Sequence, residues 1–419
     1  MLFWGDSISA QSGYGLVSYH FVQELKNHFD ITFVFSGYAG KDINDHLEEQ
    51  GRKDFGEIRF YPAGQDLGTS TIRSLITSKK FDFLFLNNEI PRVDRLLIED
   101  NFWQFKPMPH ILAYSVIDWI FEDTFLGNVN FSEDEFEKRK VSFNTIKTFL
   151  APAEHSHRYY SRYIPQKLYP ETIYHGIDDN IFKPFSTKAE RDYFRESYFA
   201  GQVAPDDILF INCNRNSERK DILRSMLMFY SAYKDFPIVK FYAHTNIVEQ
   251  GVDIRVEMEN AGIAKRDIER LYIFPQQNDV FKGATPDRIM GKIFASADIN
   301  ISTSMGEGVG LGNYQAMGTR TLNMIPAHTS MTEVVRDDKG IVLPTDIKQQ
   351  YHYWSGVNPH ITAPVLFNEG TQKIKEVLQN LYRNREYYKD TLDNAESWIK
   401  EKTWDHSRIA IREMVNTII

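Results

Sequence analysis

The sequence predicts an α/β protein made of two doubly wound, Rossmann-like domains with parallel sheets. Its 419 residues exceed one ordinary domain and suit two. Short apolar segments alternate with helical patterns in both halves, which is typical of parallel sheets covered by helices on both faces. Each half also carries a glycine-containing loop between a predicted strand and helix, where open parallel sheets bind ligands.

The first domain is predicted to span residues 1–183. Its apolar start, Met1 to Gly5, precedes a polar loop with Gly13 and Gly15. A helix with one apolar face follows, formed by Val17, Phe21, Leu25 and Phe29. Further strands are predicted at 31–35, 57–61, 81–87, 110–117, 148–151 and 171–174. This start indicates a Rossmann-like unit.

The second domain is predicted to span residues 184–395, beginning at Pro184 and the polar segment that follows it. Its strands are predicted at 207–213, 238–243, 271–274, 298–302, 321–325 and 341–343. A long helical segment covers 372–401, and residues 396–419 form a C-terminal helix. Residues 346–364 show no clear period, and both a surface insertion and an acceptor-side loop fit them.

Composition limits the classes of function. The net charge of −9 argues against broad, nonspecific binding of nucleic acid, which needs a basic face. No apolar run is long enough to span a membrane, and the N-terminus lacks the features of a signal peptide. The single cysteine, Cys213, excludes an internal disulfide and a cysteine-based zinc site. We therefore expect a cytoplasmic protein without a membrane span.

Metal and nucleophile signatures are not found in the sequence. No Asp-x-Asp motif is present to hold a divalent metal on a pyrophosphate. His155 and His157 lack the spacing of metal ligands, and we interpret them as ordinary surface residues. Cys213 ends a predicted strand without a nearby histidine, so packing is a better interpretation than catalysis. We expect no metal and no cofactor.

The segment 299–320 is the most informative part of the chain. An apolar strand ends in hydroxyl residues, and a loop with four glycines leads into a helix; these glycines are Gly306, Gly308, Gly310 and Gly312. Glycines let a backbone approach a ligand closely, and a helix N-terminus suits phosphate. Glu307 lies inside this loop, where a carboxylate would accept hydrogen bonds from neutral hydroxyls. The combination predicts a nucleotide-sugar site.

The same segment resembles the Glu-x7-Glu signature of family-4 glycosyltransferases, which are retaining enzymes of the GT-B architecture. Glu307 matches the first glutamate, whereas Gln315 stands where the family has the second. The flanking matches are Gly308, Gly310, Leu311, Ala316 and Met317. The form of the loop looks most like glycosyltransferases of large DNA viruses and phages.

The resemblance implies a role for each of these residues. Glu307 would hold the sugar hydroxyls, and Gln315 would hydrogen-bond the ribose without the strength of a charged partner. The backbone of the loop and helix start would bind the donor phosphates; it comprises Gly308, Val309, Gly310, Leu311 and Gly312. The helix at 409–419 would cross back onto the first domain.

Arg215 and Lys220 match the spacing of the family's Arg-x4-Lys pair, after the first strand of the second domain. Cleavage of a sugar–phosphate bond leaves a diphosphate with growing negative charge, which nearby cations stabilise. At about 4 Å and an effective dielectric constant near 20, each cation contributes roughly 4 kcal/mol of gross attraction. The alternative is a solvated basic turn, with Glu218 and Asp221 as partners.

Site residues are also predicted in the first domain. The loop with Gly13 and Gly15 resembles the family's first glycine loop, which lies against donor phosphate and acceptor. Family members usually carry a histidine–aspartate pair after the strand that ends here at Ile117. This chain reads Ser-Val-Ile-Asp-Trp over 115–119, so Asp118 is the candidate catalytic residue and the histidine is missing.

The predicted function is a retaining, metal-independent glycosyltransferase that moves a hexosyl or related sugar from a nucleotide-diphosphate sugar to a hydroxyl acceptor. The acceptor is a glycan, a lipid or another hydroxyl compound, and the sequence does not decide among them. Three rival functions remain: transfer to modified bases of DNA, epimerisation of a nucleotide sugar, and binding of a nucleotide sugar without catalysis. The sequence leaves the base, the sugar and the oligomeric state open.

Overall fold

The computed structural model describes residues 1–8, 10, 12–36, 55, 58–63, 66–99, 107–121, 140–234, 236–249, 251–275, 285–346, 351–355 and 358–418. The chain divides into two compact units. Unit 1 comprises Met1–Gly176, Trp354–Pro359 and Trp404–Ile419, and unit 2 comprises Ile177–Tyr353 and His360–Thr403.

Unit 1 is built on a parallel sheet. Its strands are β1 (Leu2–Asp6), β2 (Thr32–Ser36), β3 (Arg59–Pro62), β4 (Phe83–Asn87), β5 (His110–Tyr114), β6 (Thr148–Ala151) and β7 (Leu168–Thr172). They lie in the order β3-β2-β1-β4-β5-β6-β7, and all of these pairings are parallel. The helices are α1 (Gly13–Leu25), α2 (Thr69–Ser78), α3 (Ile90–Asp94) and α4 (Glu154–Tyr163).

Both faces of this sheet are buried, as its apolar strands require. Alternate residues such as Leu84 and Leu86 join an aliphatic and aromatic core on one face. On the other face Phe85 stacks on Phe3, with ring centroids 5.0 Å apart, and meets Phe21 of α1 at 6.1 Å. Helix α1 therefore packs on this face of the sheet. The first glycine loop lies between the end of β1 and this helix.

Unit 2 contains a second parallel sheet and a short hairpin. Its strands are β8 (Ile208–Asn212), β9 (Val239–Ala243), β10 (Val248–Glu249), β11 (Val252–Asp253), β12 (Tyr272–Ile273), β13 (Ile299–Ile301), β14 (Leu322–Pro326) and β15 (Ile341–Leu343). The sheet order is β12-β9-β8-β13-β14-β15, with parallel pairings, and β10 pairs antiparallel with β11. Strands β16 (Tyr351–Ser355) and β17 (Asn358–Thr362) form a separate two-stranded sheet.

Further helices lie between Lys188 and Ile418. They are α5 (Lys188–Tyr198), α6 (Ile222–Tyr233), α7 (Ile254–Asn260), α8 (Lys265–Leu271), α9 (Asp287–Ser296), α10 (Leu311–Gly318), α11 (Met331–Val335), α12 (Phe367–Arg383), α13 (Lys389–Lys400) and α14 (Trp404–Ile418). None of the helices in the described part of the chain has both the length and the apolar character needed to cross a membrane.

Arg195 anchors α5 inside unit 2. Its guanidinium is fully buried and donates to the carbonyl oxygens of Ser296, Pro205 and Asp207, and to the carboxylate of Asp298 at 2.9 Å. Asp298 also accepts the backbone N–H of Leu209 at 2.8 Å. This network joins α5 and the end of α9 to the starts of β8 and β13.

Helix α14 belongs to unit 1 and packs on α1. Arg412 donates two hydrogen bonds to the carboxylate of Glu24, at 2.6 and 3.0 Å. The indole of Trp404 stacks on the ring of His20, with centroids 4.2 Å apart. A charged pair and an aromatic stack therefore fasten the end of the chain to the first helix.

The α/β fold class with two doubly wound domains is confirmed, but several predicted segments have different bounds. The strand predicted at 171–174 is β7, and the C-terminal helix begins at Trp404 rather than at residue 396. Strand β5 ends at Tyr114 rather than Ile117, because the backbone beyond it bonds to side chains of α4. Ser156 Oγ accepts the Ile117 N–H, and the Tyr160 hydroxyl donates to Ser115 O. The long helix at 372–401 is two helices. It breaks at Asn384, whose backbone is extended and whose side chain accepts the N–H of Glu386.

Candidate functional site

The glycine loop of unit 2 connects β13 to α10. Its hydroxyl groups bond to backbone: Thr303 donates to Asp221 O at 2.6 Å, and Ser304 donates to Gly306 O at 3.0 Å. Gly310 ends the loop with a φ of +78°, and a Cβ there would lie 2.8 Å from Asn313 Nδ2. The turn itself therefore requires glycine at 310, because other residues are strained in this conformation.

Gly312 has a different environment. It is the second residue of α10, and a Cβ there would make ordinary contacts of 3.6 Å with Cys213 O and 3.8 Å with Phe294. Neighbouring described residues thus leave room for a side chain at this position. Because Gly310 has no side chain to cap the helix, the first amides of α10 present the partial positive charge that suits an anion.

Three buried asparagines fix this helix start to the sheet. Asn300 of β13 donates to the side-chain oxygens of Asn313 at 3.1 Å and Asn323 at 2.7 Å. Asn323 of β14 in turn donates to Asn313 O at 2.9 Å. Since the Asn300 side chain bonds to both other side chains and Asn323 bonds to the Asn313 backbone, the network holds α10 in register with two neighbouring strands.

Glu307 and Lys220 form an ion pair within unit 2. The Lys220 ammonium contacts Glu307 Oε1, and Arg219 Nη1 lies 3.6 Å from Oε2. Arg219 also donates to Gly306 O. The structure thus brings together two predicted site residues, Glu307 and Lys220, from positions far apart in the chain, and adds the cation of Arg219.

The charge of Glu307 is maintained inside the protein. Its side chain is only 8% exposed, and burial by itself disfavours the ionised form. Lys220 and Arg219 outweigh burial and hold the pKa of the Glu307 carboxyl below its ordinary value. Glu307 is therefore a carboxylate, and the cluster of one anion and two cations carries one net positive charge.

The turn after β14 lies against the backbone of Glu307. Thr329 Oγ1 accepts the Glu307 N–H at 3.1 Å, and Ser330 Oγ donates to Glu307 O at 2.7 Å. Thr329 has a φ of +53°, in the left-handed region that a β-branched residue rarely adopts. Strained backbone of this kind often marks a functional site.

Arg215 has a different partner from Lys220. Its Nε donates to Glu249 Oε1 at 2.6 Å, and Glu249 Oε2 accepts the Asn216 N–H at 3.0 Å. The Arg215 side chain is 59% exposed, whereas that of Glu249 is 9% exposed. Glu249 of the β10–β11 hairpin therefore fastens the loop after β8, and Arg215 does not contact Glu307 directly.

Gln315 is the fifth residue of α10 and is half-buried. Gly308 and Val309 are buried in the loop, and Leu311 is the first residue of the helix. All of the predicted donor-binding residues of the second domain thus lie in or directly after the glycine loop.

The predicted residues of the first domain lie in unit 1. Gly13 begins α1, whose N-cap Ser12 accepts the Gly15 N–H at 3.0 Å. A Cβ at Gly15 would lie 2.3 Å from Ala10 O, so packing inside unit 1 already requires glycine there. Asp118 is half-buried beyond β5 and, after burial and Glu89, contributes to raising the pKa of Tyr14.

The interpretation of His155 changes, and that of Cys213 does not. His155 is buried, with Nε2 2.9 Å from Trp119 O, so describing it as a surface residue was wrong; His157 is half-buried. His155 lies on the buried face of α4, together with Tyr159 and Tyr160. Burial raises the pKa of the Cys213 thiol to about 12, opposed by Lys220, so this thiol stays protonated near neutral pH.

Sequence reasoning missed four residues near the site. They are Arg219, Glu249, His328 and Thr329. Arg219 adjoins the predicted Lys220, and His328 and Thr329 follow a predicted strand at its carboxyl end, so strand-end position was an available signal. Glu249 lies on a short hairpin with no such pattern. Among the described residues, no group of three histidine, cysteine or acidic side chains is arranged to hold a metal ion.

The chain matches no protein-family model and no curated protein sequence. Several solved structures resemble it over nearly their whole length. Sucrose-phosphate synthase of Thermosynechococcus elongatus has a TM-score of 0.66 at 12% identity, covering 100% of this chain and 98% of that one. HepE of Anabaena in complex with UDP-glucose has a TM-score of 0.61 at 13% identity, covering 99% of each chain.

A glycosyltransferase of Rickettsia africae has a TM-score of 0.63 at 11% identity, covering 100% of this chain and 97% of that one. Identities this low establish a shared fold and leave the chemistry to be argued from the site. The two parallel-sheet units and these likenesses together define the class: the chain has the GT-B fold of glycosyltransferases.

Proposed function

We propose that unit 2 binds a nucleotide-diphosphate sugar and that the chain is a retaining, metal-independent glycosyltransferase of family 4. The observation that carries this proposal is the cluster of Lys220, Arg219 and Glu307 beside the glycine loop and the start of α10. The solved relatives support it, because HepE binds UDP and UDP-glucose.

The cluster suits a donor that carries both phosphates and hydroxyls. Two cations and helix amides favour the diphosphate, and a buried carboxylate favours the sugar hydroxyls. On donor binding, Lys220 turns from Glu307 to the diphosphate, and a sugar hydroxyl takes its place at the carboxylate. The cations then stabilise the charge that grows on the leaving diphosphate, which lowers the barrier to bond cleavage.

In the proposed reaction, the acceptor oxygen bonds to the anomeric carbon on the face from which the diphosphate leaves. The bond between the anomeric carbon and the phosphate oxygen breaks, and the released phosphate oxygen takes the acceptor proton. Lys220, Arg219 and Arg215 supply the positive charge. This route needs neither a protein general base nor a divalent metal.

The acceptor is proposed to be a hydroxyl compound, with a glycan first. Unit 1 carries the acceptor-side residues in this proposal, with Asp118 and the loop of Gly13 and Gly15 at its sheet edge. A modified base of DNA ranks second, because the net charge of −9 opposes broad contact with a polyanion.

The first experiment is a thermal-shift panel of UDP, GDP and ADP sugars, since a ligand at one hundred times its Kd stabilises the folded state by about 2.7 kcal/mol. Transfer is then assayed on oligosaccharides and on hydroxymethylated DNA, with and without EDTA. Product with the donor's anomeric configuration, formed equally in EDTA, supports the full proposal. Binding of the donor without hydrolysis, and without transfer to any acceptor, supports a catalytically silent binding module instead. Gln315, which stands where the family has glutamate, is the reason to consider that alternative.

A further inference from the structure

His328 is the second residue after β14, in the turn that follows this strand. Its Nε2 lies 3.0 Å from Ala363 O. A carbonyl oxygen only accepts hydrogen bonds, so Nε2 carries the hydrogen of this imidazole. Burial lowers the pKa of His328 to about 4, so the ring is neutral near pH 7. Its Nδ1 therefore bears a lone pair and is a hydrogen-bond acceptor.

This acceptor is unused in the structure. His328 is 4% exposed, and Nδ1 has no hydrogen-bond partner among the described residues. Buried acceptors in folded proteins are nearly always paired, and the exceptions tend to mark sites of function. Because the other nitrogen already anchors the ring to Ala363, the orientation of Nδ1 is set by the fold.

The surroundings of His328 connect it to Glu307. Thr329 Oγ1 donates to His328 O at 2.7 Å while accepting the Glu307 N–H at 3.1 Å. Ala363, which accepts from His328, donates its N–H to Met305 O at 3.4 Å, two residues before Glu307. Ala363 thus holds the His328 ring and Thr329 holds the His328 backbone, and both residues also hold the Glu307 loop. The ring lies within electrostatic reach of the Glu307 carboxylate.

We propose that His328 is a specificity-determining residue whose Nδ1 accepts a hydrogen bond from a hydroxyl of the donor sugar, beside the hydroxyl bound by Glu307. The inference rests on the proposed function. A carboxylate and an unprotonated imidazole nitrogen are two acceptors without a donor. Together they select a neutral sugar with free hydroxyls and reject a sugar that places a carboxylate there.

Two substitutions separate the two nitrogens of the ring. In His328→Gln the amide nitrogen takes the place of Nε2 and continues to donate to Ala363, while the acceptor at Nδ1 is lost. In His328→Asn the side-chain oxygen takes the place of Nδ1, while the bond to Ala363 is lost. The Kd values of UDP and of UDP-glucose are measured by calorimetry for both variants and the unsubstituted chain, together with the thermal midpoint.

We expect His328→Gln to weaken UDP-glucose about fivefold, the equivalent of one net hydrogen bond, and to leave UDP unchanged. His328→Asn retains the unsubstituted ratio of the two Kd values, although its thermal midpoint falls. Equal weakening of both ligands in His328→Gln, or no change in either, overturns the inference. A different result would show that the proposed function itself is wrong: the unsubstituted chain would then bind none of UDP, GDP, ADP and their glucose conjugates.

Discussion

The ammonium of Lys220 and the carboxylate of Glu307 form an ion pair that joins the turn before α6 to the glycine loop of unit 2. Their side chains are 16% and 8% exposed, so solvent screens the pair only weakly. Within the pair each charge neutralises the other. A donor that brings both a diphosphate and a hydroxyl can replace both halves of the pair at once.

Replacing Lys220 with alanine should lower sugar transfer at least tenfold, because the leaving diphosphate loses a cation where its charge grows. Steady-state kinetics measure the change, and circular dichroism checks the fold. Lys265→Ala is the matched control, since Lys265 is an exposed lysine of unit 2 at the start of α8. Unchanged turnover in Lys220→Ala would remove Lys220 from leaving-group stabilisation.

Glu307→Gln should destabilise the protein near neutral pH, and the difference should shrink in acid. The folded pKa of Glu307 lies below its unfolded value of 4.5, as Lys220 and Arg219 outweigh burial. A carboxyl with a depressed pKa contributes stability above its unfolded pKa, and this contribution is lost as pH falls through the folded value. The difference in stability is measured as the gap between the thermal midpoints of Glu307→Gln and the unsubstituted chain, from pH 7 to below pH 4.5. A gap that stays constant below pH 4.5 contradicts the ionised state assigned to Glu307.

Arg195→Met should destabilise unit 2 by about 3–5 kcal/mol, because it removes a fully buried guanidinium and leaves the half-buried carboxylate of Asp298 with fewer partners. Urea denaturation measures the free energy of unfolding. Lys188→Ala on the same helix is the control, since its ion pair with Asp192 is exposed and contributes at most about 0.5 kcal/mol. Similar losses in the two variants would mean that burial does not determine the strength of these pairs.

The two glycines at the start of α10 should respond differently to alanine. Gly310→Ala should cost about 1–2 kcal/mol of stability, because its φ of +78° strains any other residue. Gly312→Ala has room in the fold and should stay within about 0.5 kcal/mol. If the diphosphate lies against the Gly312 amide, however, Gly312→Ala should weaken UDP several-fold in calorimetry. Full affinity in this variant would place the diphosphate elsewhere.

Most strands of both sheets were predictable, because they are short apolar segments bounded by polar residues or glycine. The period of side chains along a strand is local information, and β4 and β9 lie within the segments that this period indicates. The glycine loop was predictable for the same reason, since its glycines and Glu307 lie within seven consecutive residues.

The partners of the charged groups could not be predicted in this way. Spacing suggested that Arg215 and Lys220 act side by side. In the fold, however, Arg215 pairs with Glu249 and Lys220 pairs with Glu307. These contacts join residues 34 and 87 positions apart. Which carboxylate meets which cation depends on how the loops after β8 and β13 and the β10–β11 hairpin pack together.

The sequence alone determined that this chain forms two parallel-sheet α/β domains and that the second has a glycine loop suited to a phosphate-bearing ligand. Both properties follow from side-chain periodicity and backbone freedom, which neighbouring residues decide. Only the tertiary structure showed that Lys220 and Arg219 keep Glu307 ionised and that His328 holds an unused acceptor beside it. Burial and electrostatic pairing arise between segments distant in the chain, and they exist only once those segments are packed together.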